Sequence, residues 1–151
     1  MVRQLCTLAL AALLALVLLP SCHSGEQQQE AAVAAQSFAN AFFNYDFRSS
    51  AQFATPESRQ WISFLASNIT QDDLNTINAM NEKASCATPE ITLIDDTTAT
   101  ARLSVQTETW LGKDSVNITE GGVSTTLQLR KRDGVWLVHL TEIPQIEHNR
   151  K

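Results

Sequence analysis

The chain has 151 residues, of which 44% are hydrophobic and 18% are charged, and its net charge is -5. An apolar content near the globular average, with few glycines and prolines, excludes a disordered or collagen-like protein, and the length fits one domain. The negative charge repels phosphate, so the composition argues against a nucleic-acid partner. The sequence contains only one long apolar stretch, which excludes a protein that crosses a membrane several times.

Residues 1–21 are organised like a bacterial lipoprotein signal peptide. Arg3 is followed by the uncharged apolar run Leu5–Leu19, which is shorter than the roughly 20 residues of a spanning helix. The next residues, Leu19-Pro20-Ser21-Cys22, resemble a lipobox, although Pro20 stands where a small residue is usual. The resemblance implies that the Cys22 thiol takes a diacylglycerol and that the chain is cut before it. A plain secretory signal or an N-terminal anchor is the alternative interpretation.

The lipobox also implies an address in the bacterial cell envelope. Acyl chains on Cys22 would anchor the protein stably in a membrane. The resemblance indicates the outer membrane, because His23 and Ser24 follow the cysteine where a retained lipoprotein has an aspartate. Cys86 would then be the remaining thiol, which excludes an internal disulfide. With no basic cluster or CxxC spacing nearby to lower its pKa, we expect Cys86 to be a buried apolar residue.

Residues 22–30 are predicted to be a flexible tether that leads to a domain at 31–151. The segment 23–30 is polar and rich in glutamine, and it has no apolar periodicity. Its composition is therefore typical of a linker between the lipid and the folded domain.

The first half of the domain has the periodicity of helices. From 31 to 47 the apolar residues recur three and four positions apart and share one helix face: Ala31, Ala35, Phe38, Phe42 and Tyr45. Thr55-Pro56 is a strong start for a second helix, which carries Trp61. Thr70 to Asp73 resembles a capping box and opens a third helix. A short helical turn is expected at 48–54.

The second half alternates with the period of β-strands. Apolar residues at every second position predict strands at 91–94, 99–106 and 123–129. Asp133-Gly134 predicts a two-residue hairpin turn in which Arg132 pairs with Val135 and Lys131 with Trp136. That register puts five residues on one face of the sheet: Leu127, Leu129, Trp136, Val138 and Leu140. We expect a frayed tail from Thr141 onward.

Short motifs in this layout resemble the NTF2-like superfamily, which has a cystatin-like α+β architecture. They are Phe38–Phe42 with Tyr45-Asp46-Phe47, Asp95-Asp96 before Ala99, and Arg132–Trp136 at the last hairpin. The resemblance implies three N-terminal helices packed on a curved antiparallel sheet of about four strands. It also implies a conical pocket in many members, and a homodimer formed through the outer face of the sheet.

Enzymes of this superfamily use an Asp or His base with a Tyr or an acid in an apolar pocket. The weak catalytic candidates are therefore Tyr45, Asp46 and His139. Asp46 also fits a local hydrogen-bonding role at a helix end, and Tyr45 fits the core stripe. His139 alternates away from the core face, where a surface or interface role is the simpler interpretation.

No cofactor or metal site is indicated by the sequence. His23, His139 and His148 have no ligand spacing, and a phosphate-binding glycine loop is missing. Arg130–Arg132 is either a solvated strand end or a contact for anionic lipid headgroups or lipopolysaccharide.

The interpretation we favour is a lipid-anchored, non-enzymatic protein that binds a small apolar ligand or a protein partner. The residues that could line its pocket are apolar and fall on the expected core faces: Phe38, Phe42, Trp61, Leu129, Trp136 and Val138. Aromatic residues at helical spacing, here Phe38, Phe42 and Trp61, are more often plain core. Two alternatives stay open, an isomerase or cyclase that uses the pocket and a structural subunit of an envelope complex.

Overall fold

The computed structural model describes residues 21–107, 109–110, 116–117 and 123–144, the side chains of 21–23, 109–110, 116–117 and 123 excepted. The chain has an α+β architecture in which helices precede a curled antiparallel sheet. The predicted α+β class is therefore confirmed. The proposed signal peptide up to residue 20, most of the loop between 111 and 122, and the tail from 145 lie outside the described residues.

Helix α1 spans Ser21–Phe43 and is the longest of the described helices. Its second half packs alanines and phenylalanines against the sheet, and Ala31, Ala35, Phe38 and Ala39 are fully buried. Small alanine side chains let the helix axis approach the sheet closely, so the phenylalanines can fill the space on either side.

Residues 22–30, for which the composition predicts a flexible tether, form the first turns of α1. Their side chains from Ser24 to Glu30 remain largely exposed, as a linker's would be. Gln and Glu lose little rotamer freedom in a helix, so a helix held by the buried segment after Glu30 can propagate back through them. The absence of an apolar stripe in residues 22–30 therefore indicates that the side chains are exposed to solvent, and it does not indicate that the backbone is irregular.

Helix α1 ends in a Schellman motif with Tyr45 in the left-handed conformation. The Tyr45 amide donates to the Phe42 carbonyl at 3.1 Å, and the Asp46 amide donates to the Ala41 carbonyl at 3.0 Å. Tyr45 has φ of 62°, a region that usually holds glycine at this position. Tyr45 therefore leaves the helical stripe on which the sequence predicts it, although its ring still packs on the core edge and meets Phe47.

Three further helices follow: α2 at Phe47–Ser50, α3 at Arg59–Ser67 and α4 at Gln71–Ala79. Two short 3-10 turns lie between α2 and α3, at Ala51–Phe53 and Pro56–Ser58. The helical turn predicted for 48–54 and the capping box of Thr70 with Asp73 are confirmed.

The predicted number of three N-terminal helices is wrong, since the described residues contain four α-helices before the first strand. The Schellman turn separates α1 from α2, where the sequence predicts one helix up to residue 47. Pro56 begins a 3-10 turn, and Thr55 does not cap it with its side chain. The second predicted helix therefore starts three residues later, at Arg59.

The main sheet places β3 (Thr98–Gln106) and β6 (Val123–Arg132) at its centre. On one side of β3 lie β1 (Ser85–Cys86) and β2 (Glu90–Leu93), which pair with successive parts of it. On the other side, β7 (Val135–His139) pairs with β6. Two short strands, β4 (Thr109–Trp110) and β5 (Val116–Asn117), form a separate two-stranded ribbon in the part of the sequence that connects β3 to β6.

The hairpin register predicted from Asp133-Gly134 is confirmed. Arg132 pairs with Val135, and Lys131 pairs with Trp136. Both turn residues have positive φ, as a tight hairpin turn of the type I′ requires. The five residues that this register assigns to the core face are all buried.

The frayed tail predicted from Thr141 is wrong for its first residues. Pro144 is buried, and Ile143 packs against the core. Because these two apolar side chains bury surface against the domain, the segment 141–144 is held there instead of fraying.

Candidate functional site

An apolar groove runs between α1 and the β6–β7 hairpin, with a volume of about 450 Å³. We call it the α1–hairpin groove, and its apolar walls and floor are formed by Val33, Ala34, Phe53, Val135 and Trp136. The 3-10 turn after α2 supplies Phe53, α1 supplies Val33 and Ala34, and the hairpin supplies the other two. Three separate elements therefore converge on one apolar surface, a property typical of ligand sites.

Two of the groove residues are large apolar side chains that the fold leaves in solvent. Val33 is 54% exposed and Val135 is 57% exposed, whereas Trp136 beneath them is buried. Val33 points away from the helix face that packs on the sheet, and Val135 is the first residue after the hairpin turn. Exposing such side chains next to each other costs hydration free energy that burial under a ligand would recover.

The rim of the groove carries one ion pair. The Lys131 ammonium lies 3.4 Å from a carboxylate oxygen of Glu30, and it also sits 5.6 Å from the centre of the Trp136 ring. The Trp136 indole nitrogen is buried and has no hydrogen-bond partner among the described residues. A buried donor without a partner is unusual. Because this donor makes no hydrogen bond to the described residues, the side chain of Trp136 is held in place by packing and by the Lys131 cation near its ring.

Most of the predicted pocket residues fill the core instead of lining a cavity. Phe38, Leu129 and Val138 expose none of their surface, and Phe42 exposes 1%. A water-sized void beside these side chains would show as exposed area, so none borders them. Phe38 and Phe42 stack with their ring centres 5.1 Å apart. These four side chains therefore pack within the core, and none of them lines the α1–hairpin groove.

The other two predicted pocket residues have different surroundings. Trp136 lines the groove with one part of its ring while it closes the core with the rest. Trp61 is half-buried at the edge of the core on α3 and does not line the α1–hairpin groove. Sequence reasoning therefore identified one residue of the groove and missed Val33, Phe53 and Val135. The sequence signal that could have identified these three residues is an apolar side chain that lies outside the core-facing stripe of its own helix, turn or strand.

Asp46 acts as a helix cap, the local role that the sequence allowed for it. Its carboxylate accepts the Ser49 amide at 3.0 Å at the start of α2. Hydrogen bonding from the Ser49 side chain and amide lowers the pKa of Asp46, and the group is exposed. An exposed carboxylate that is ionised at a low pKa is a poor general base, because a base works best with a pKa near the working pH.

His139 touches a buried hydroxyl pair that closes the outer edge of β7. The chain at Ala54 runs parallel to Val138, and the Thr55 amide donates to the Val138 carbonyl at 2.9 Å. The Thr55 hydroxyl lies 3.2 Å from Nδ1 of His139 and 2.6 Å from the Ser58 hydroxyl. We call residues 54–58 the edge strap.

The edge strap gives Ser58 a structural environment. Its hydroxyl oxygen accepts the Leu140 amide at 2.7 Å and lies 3.4 Å from the Val138 carbonyl. Thr55 and Ser58 are both fully buried. A hydroxyl that is buried and occupied by backbone groups cannot approach a substrate, so this Ser–Thr–His group seals the sheet edge, as a paired edge requires.

The pKa of His139 is lowered from its ordinary value. The main cause is partial burial, which disfavours the imidazolium form, and Arg130 and Arg132 add repulsion, while Glu57 acts in the opposite direction. His139 also borders a polar hollow of about 180 Å³ with Gln128 and Glu142. Its side chain therefore lies between the edge strap and solvent.

The remaining candidates show no reactive chemistry. Burial raises the pKa of the Cys86 thiol to about 11, which keeps it protonated and unreactive near neutral pH.

Within the described residues, no three His, Cys, Asp or Glu side chains are grouped so that they could hold a metal ion. None of the described helices is both long enough and apolar enough to cross a membrane.

Comparison with known proteins adds a likeness in fold. No family profile matches the chain in sequence, and no curated protein does so. Among solved structures, the chain is similar to a point variant of Rv3472, a function-unknown protein from Mycobacterium tuberculosis, with a TM-score of 0.57. The two are 14% identical over 87% of this chain and 77% of that one. At this identity the likeness shows a shared fold and nothing about function.

Proposed function

We propose that this protein is a lipid-anchored protein of the bacterial envelope whose NTF2-like domain binds an apolar ligand without catalysing a reaction. The α1–hairpin groove is the observation that carries this proposal. It is the place in the described structure where exposed apolar side chains from separate elements meet over a buried tryptophan. The ligand site is thus moved from the conical pocket that the family resemblance implies to the outside of the helical layer.

The geometry of the groove favours an apolar ligand over a polar one. Val33, Ala34, Phe53 and Val135 offer no hydrogen-bonding side chain, and the Trp136 indole nitrogen is buried. The polar side chains that border the groove are Gln29, Glu30 and Ser37, and the Glu30 carboxylate is already paired with Lys131. A ligand with several buried polar atoms would lose its hydration against the apolar walls with few groups to replace it, which is unfavourable.

The lipid anchor is supported by the sequence from Leu19 to Cys22 and by the position of that cysteine. Cys22 is the second residue of α1, so an acyl group there would hang from the end of a helix that is continuous with the core. The outer membrane is the address that the residues after Cys22 favour. No acid–base role is included, because Asp46 caps α2 and His139 is engaged by Thr55.

An apolar dye tests the groove in residues 22–151 that carry Cys22→Ser and are produced without residues 1–21, so that the apolar run of the signal segment does not bind the dye. N-phenylnaphthylamine fluoresces when it enters an apolar site, and we expect saturable binding that Val135→Asp weakens at least about tenfold, because the new carboxylate must be desolvated under the dye. Phe64→Asp is the matched control, since Phe64 is 56% exposed but lies on α3, away from the groove. Equal loss in both variants, or no binding by the parent protein, would contradict the proposal.

The homodimer predicted from the family resemblance would use the opposite surface, the outer face of the sheet. Thr92, Thr100 and Gln128 lie in one row across that face, as their pairing shows. A row of polar side chains fits a weak interface better than an obligate one, since obligate interfaces are more apolar. Sedimentation over a range of protein concentrations would detect such a dimer.

A further inference from the structure

We propose that the α1–hairpin groove holds an acyl chain attached to Cys22 of the same molecule whenever the protein is outside a membrane. This inference rests on the proposed lipidation and on the proposed ligand site, and it names the ligand as a fatty acyl chain. It also assigns the groove a purpose, which is to shield the anchor from water.

The position of Cys22 on α1 is the first argument. Gln29 and Val33, which border the groove, lie seven and eleven residues after Cys22 in the same continuous helix. At 3.6 residues per turn these separations are close to two and three whole turns, so the three positions fall on one face of the helix. The attachment point is therefore in line with the groove and about 16 Å from Val33 along the helix axis.

Helix α1 also fixes this alignment. A flexible tether would let the acylated cysteine point in any direction, but residues 22–30 are helical and join the buried part of α1 without a break. Because Ala31, Ala35 and Phe38 are fully buried, the rotation of the helix about its own axis is set by the core. An acyl chain that folds back along the helix from position 22 consequently meets the groove.

The chemistry of the path is the third argument. Between Cys22 and Val33 the aligned positions are Glu26 and Gln29, whose aliphatic stems can lie beside a hydrocarbon chain while their polar ends stay in water. The groove itself offers Val33, Val135 and Phe53 as apolar walls. Burial of methylene groups there is favourable in proportion to the area removed from water.

Photo-crosslinking of the full-length lipidated protein tests this proposal. The protein is produced in a bacterial host fed with a diazirine-bearing fatty acid, purified in detergent, transferred to detergent-free buffer at low concentration and irradiated. We expect intramolecular cross-links to peptides that contain residues 29–37 and 134–136. The cross-linked fraction should not change on dilution, because donor and groove belong to one molecule.

Two variants distinguish acyl-chain binding in the groove from non-specific contact with exposed apolar side chains. Val33→Glu should reduce the cross-links to these peptides at least about tenfold, because a carboxylate in the groove must be desolvated by the acyl chain. Phe64→Glu changes an equally exposed apolar residue on α3 and should leave them unchanged. Cross-links concentrated on α3 or α4, or equal in the two variants, would overturn the inference.

The same preparation distinguishes the failure of this inference from that of the proposed function. If the intact mass shows no acyl groups on the wild-type protein, the proposed lipid anchor is wrong and the inference falls with it. If the protein is acylated and residues 22–151 with Cys22→Ser bind the apolar dye, but no groove cross-links form, the proposed function stands and this inference is overturned.

Discussion

Trp136 and His139 lie three positions apart on β7 and therefore on opposite faces of the sheet, and this difference decides their energetic roles. Trp136 is 3% exposed and contributes to the core, the groove floor and the contact with Lys131. His139 is half-buried and contacts the edge strap through the Thr55 hydroxyl.

Truncation of these two residues should therefore give unequal losses of stability. Trp136→Ala should lower the free energy of unfolding by about 3–5 kcal/mol, the range for large core side chains. His139→Ala should cost about 1 kcal/mol, the value of one hydrogen bond, because Thr55 retains Ser58 as a partner. Chemical denaturation measures both values, and equal losses or the reverse order would contradict the assignment of faces.

His139 should also make stability depend on pH. Its folded-state pKa is below the unfolded-state value, so the unfolded chain binds more protons as the pH falls. The stability that neutral His139 contributes is thus present above the ordinary histidine pKa of about 6.5 and is lost as the pH falls toward the lower folded-state value.

Comparison of the wild-type protein with His139→Gln isolates this effect, because the carboxylates are shared by both. We expect the wild-type free energy of unfolding to fall more steeply between about pH 7.5 and pH 5.5 than that of the variant. The cationic neighbours of His139 are Arg130 and Arg132, and Glu57 opposes them. Parallel pH profiles would show that the folded-state pKa of His139 is not lowered.

Helix α1 and the β6–β7 hairpin are two of the three elements that form the groove, and each contains a glycine. The hairpin needs Gly134, which has φ of 80°, and α1 contains Gly25 in an exposed helical position. Neither glycine has a neighbouring atom within 4 Å of an added Cβ, so backbone conformation alone decides the effect of substitution.

Substitution of these glycines by alanine should have opposite effects. Gly134→Ala should cost about 1–2 kcal/mol, because an L-residue is strained in the left-handed region. Gly25→Ala should favour the helical conformation, and amide exchange from residues 24–30 should become slower, because glycine is a poor helix former. Rapid exchange from residues 24–30 in both forms would instead indicate the flexible tether that the composition predicts.

At the scale of the whole molecule, the position of the domain relative to the membrane depends on Cys22. Replacement of Cys22 by Ser removes the thiol that acylation requires. We expect an uncleaved precursor that no longer partitions with detergent-extracted lipoproteins, while the domain itself stays folded, because the buried part of α1 begins at Ala31. Normal processing and anchoring of the variant would rule out the lipobox interpretation.

The sequence by itself determined the elements that short-range chemistry controls. The turn at Asp133-Gly134 set the hairpin register, since two residues with positive φ fit the twist of paired strands. The alternation at Ala99, Ala101, Leu103 and Val105 identified the core face of β3, and the Thr70–Asp73 capping box was readable because its partners are three residues apart. The local role that the sequence allowed for Asp46 was equally visible, because its hydrogen-bond partner lies in the next turn.

Only the tertiary structure decided where an apolar surface remains open. The phenylalanines at 38 and 42 have the same pattern whether they line a cavity or fill a core, and the choice depends on how closely α1 approaches the sheet. Val33, Phe53 and Val135 are far apart in the chain and meet because three elements converge. The contact of His139 with Thr55 spans 84 residues and closes a sheet edge that no local pattern marks. Hydrophobic periodicity reports which side of one element is apolar, but the space between elements is set by their packing.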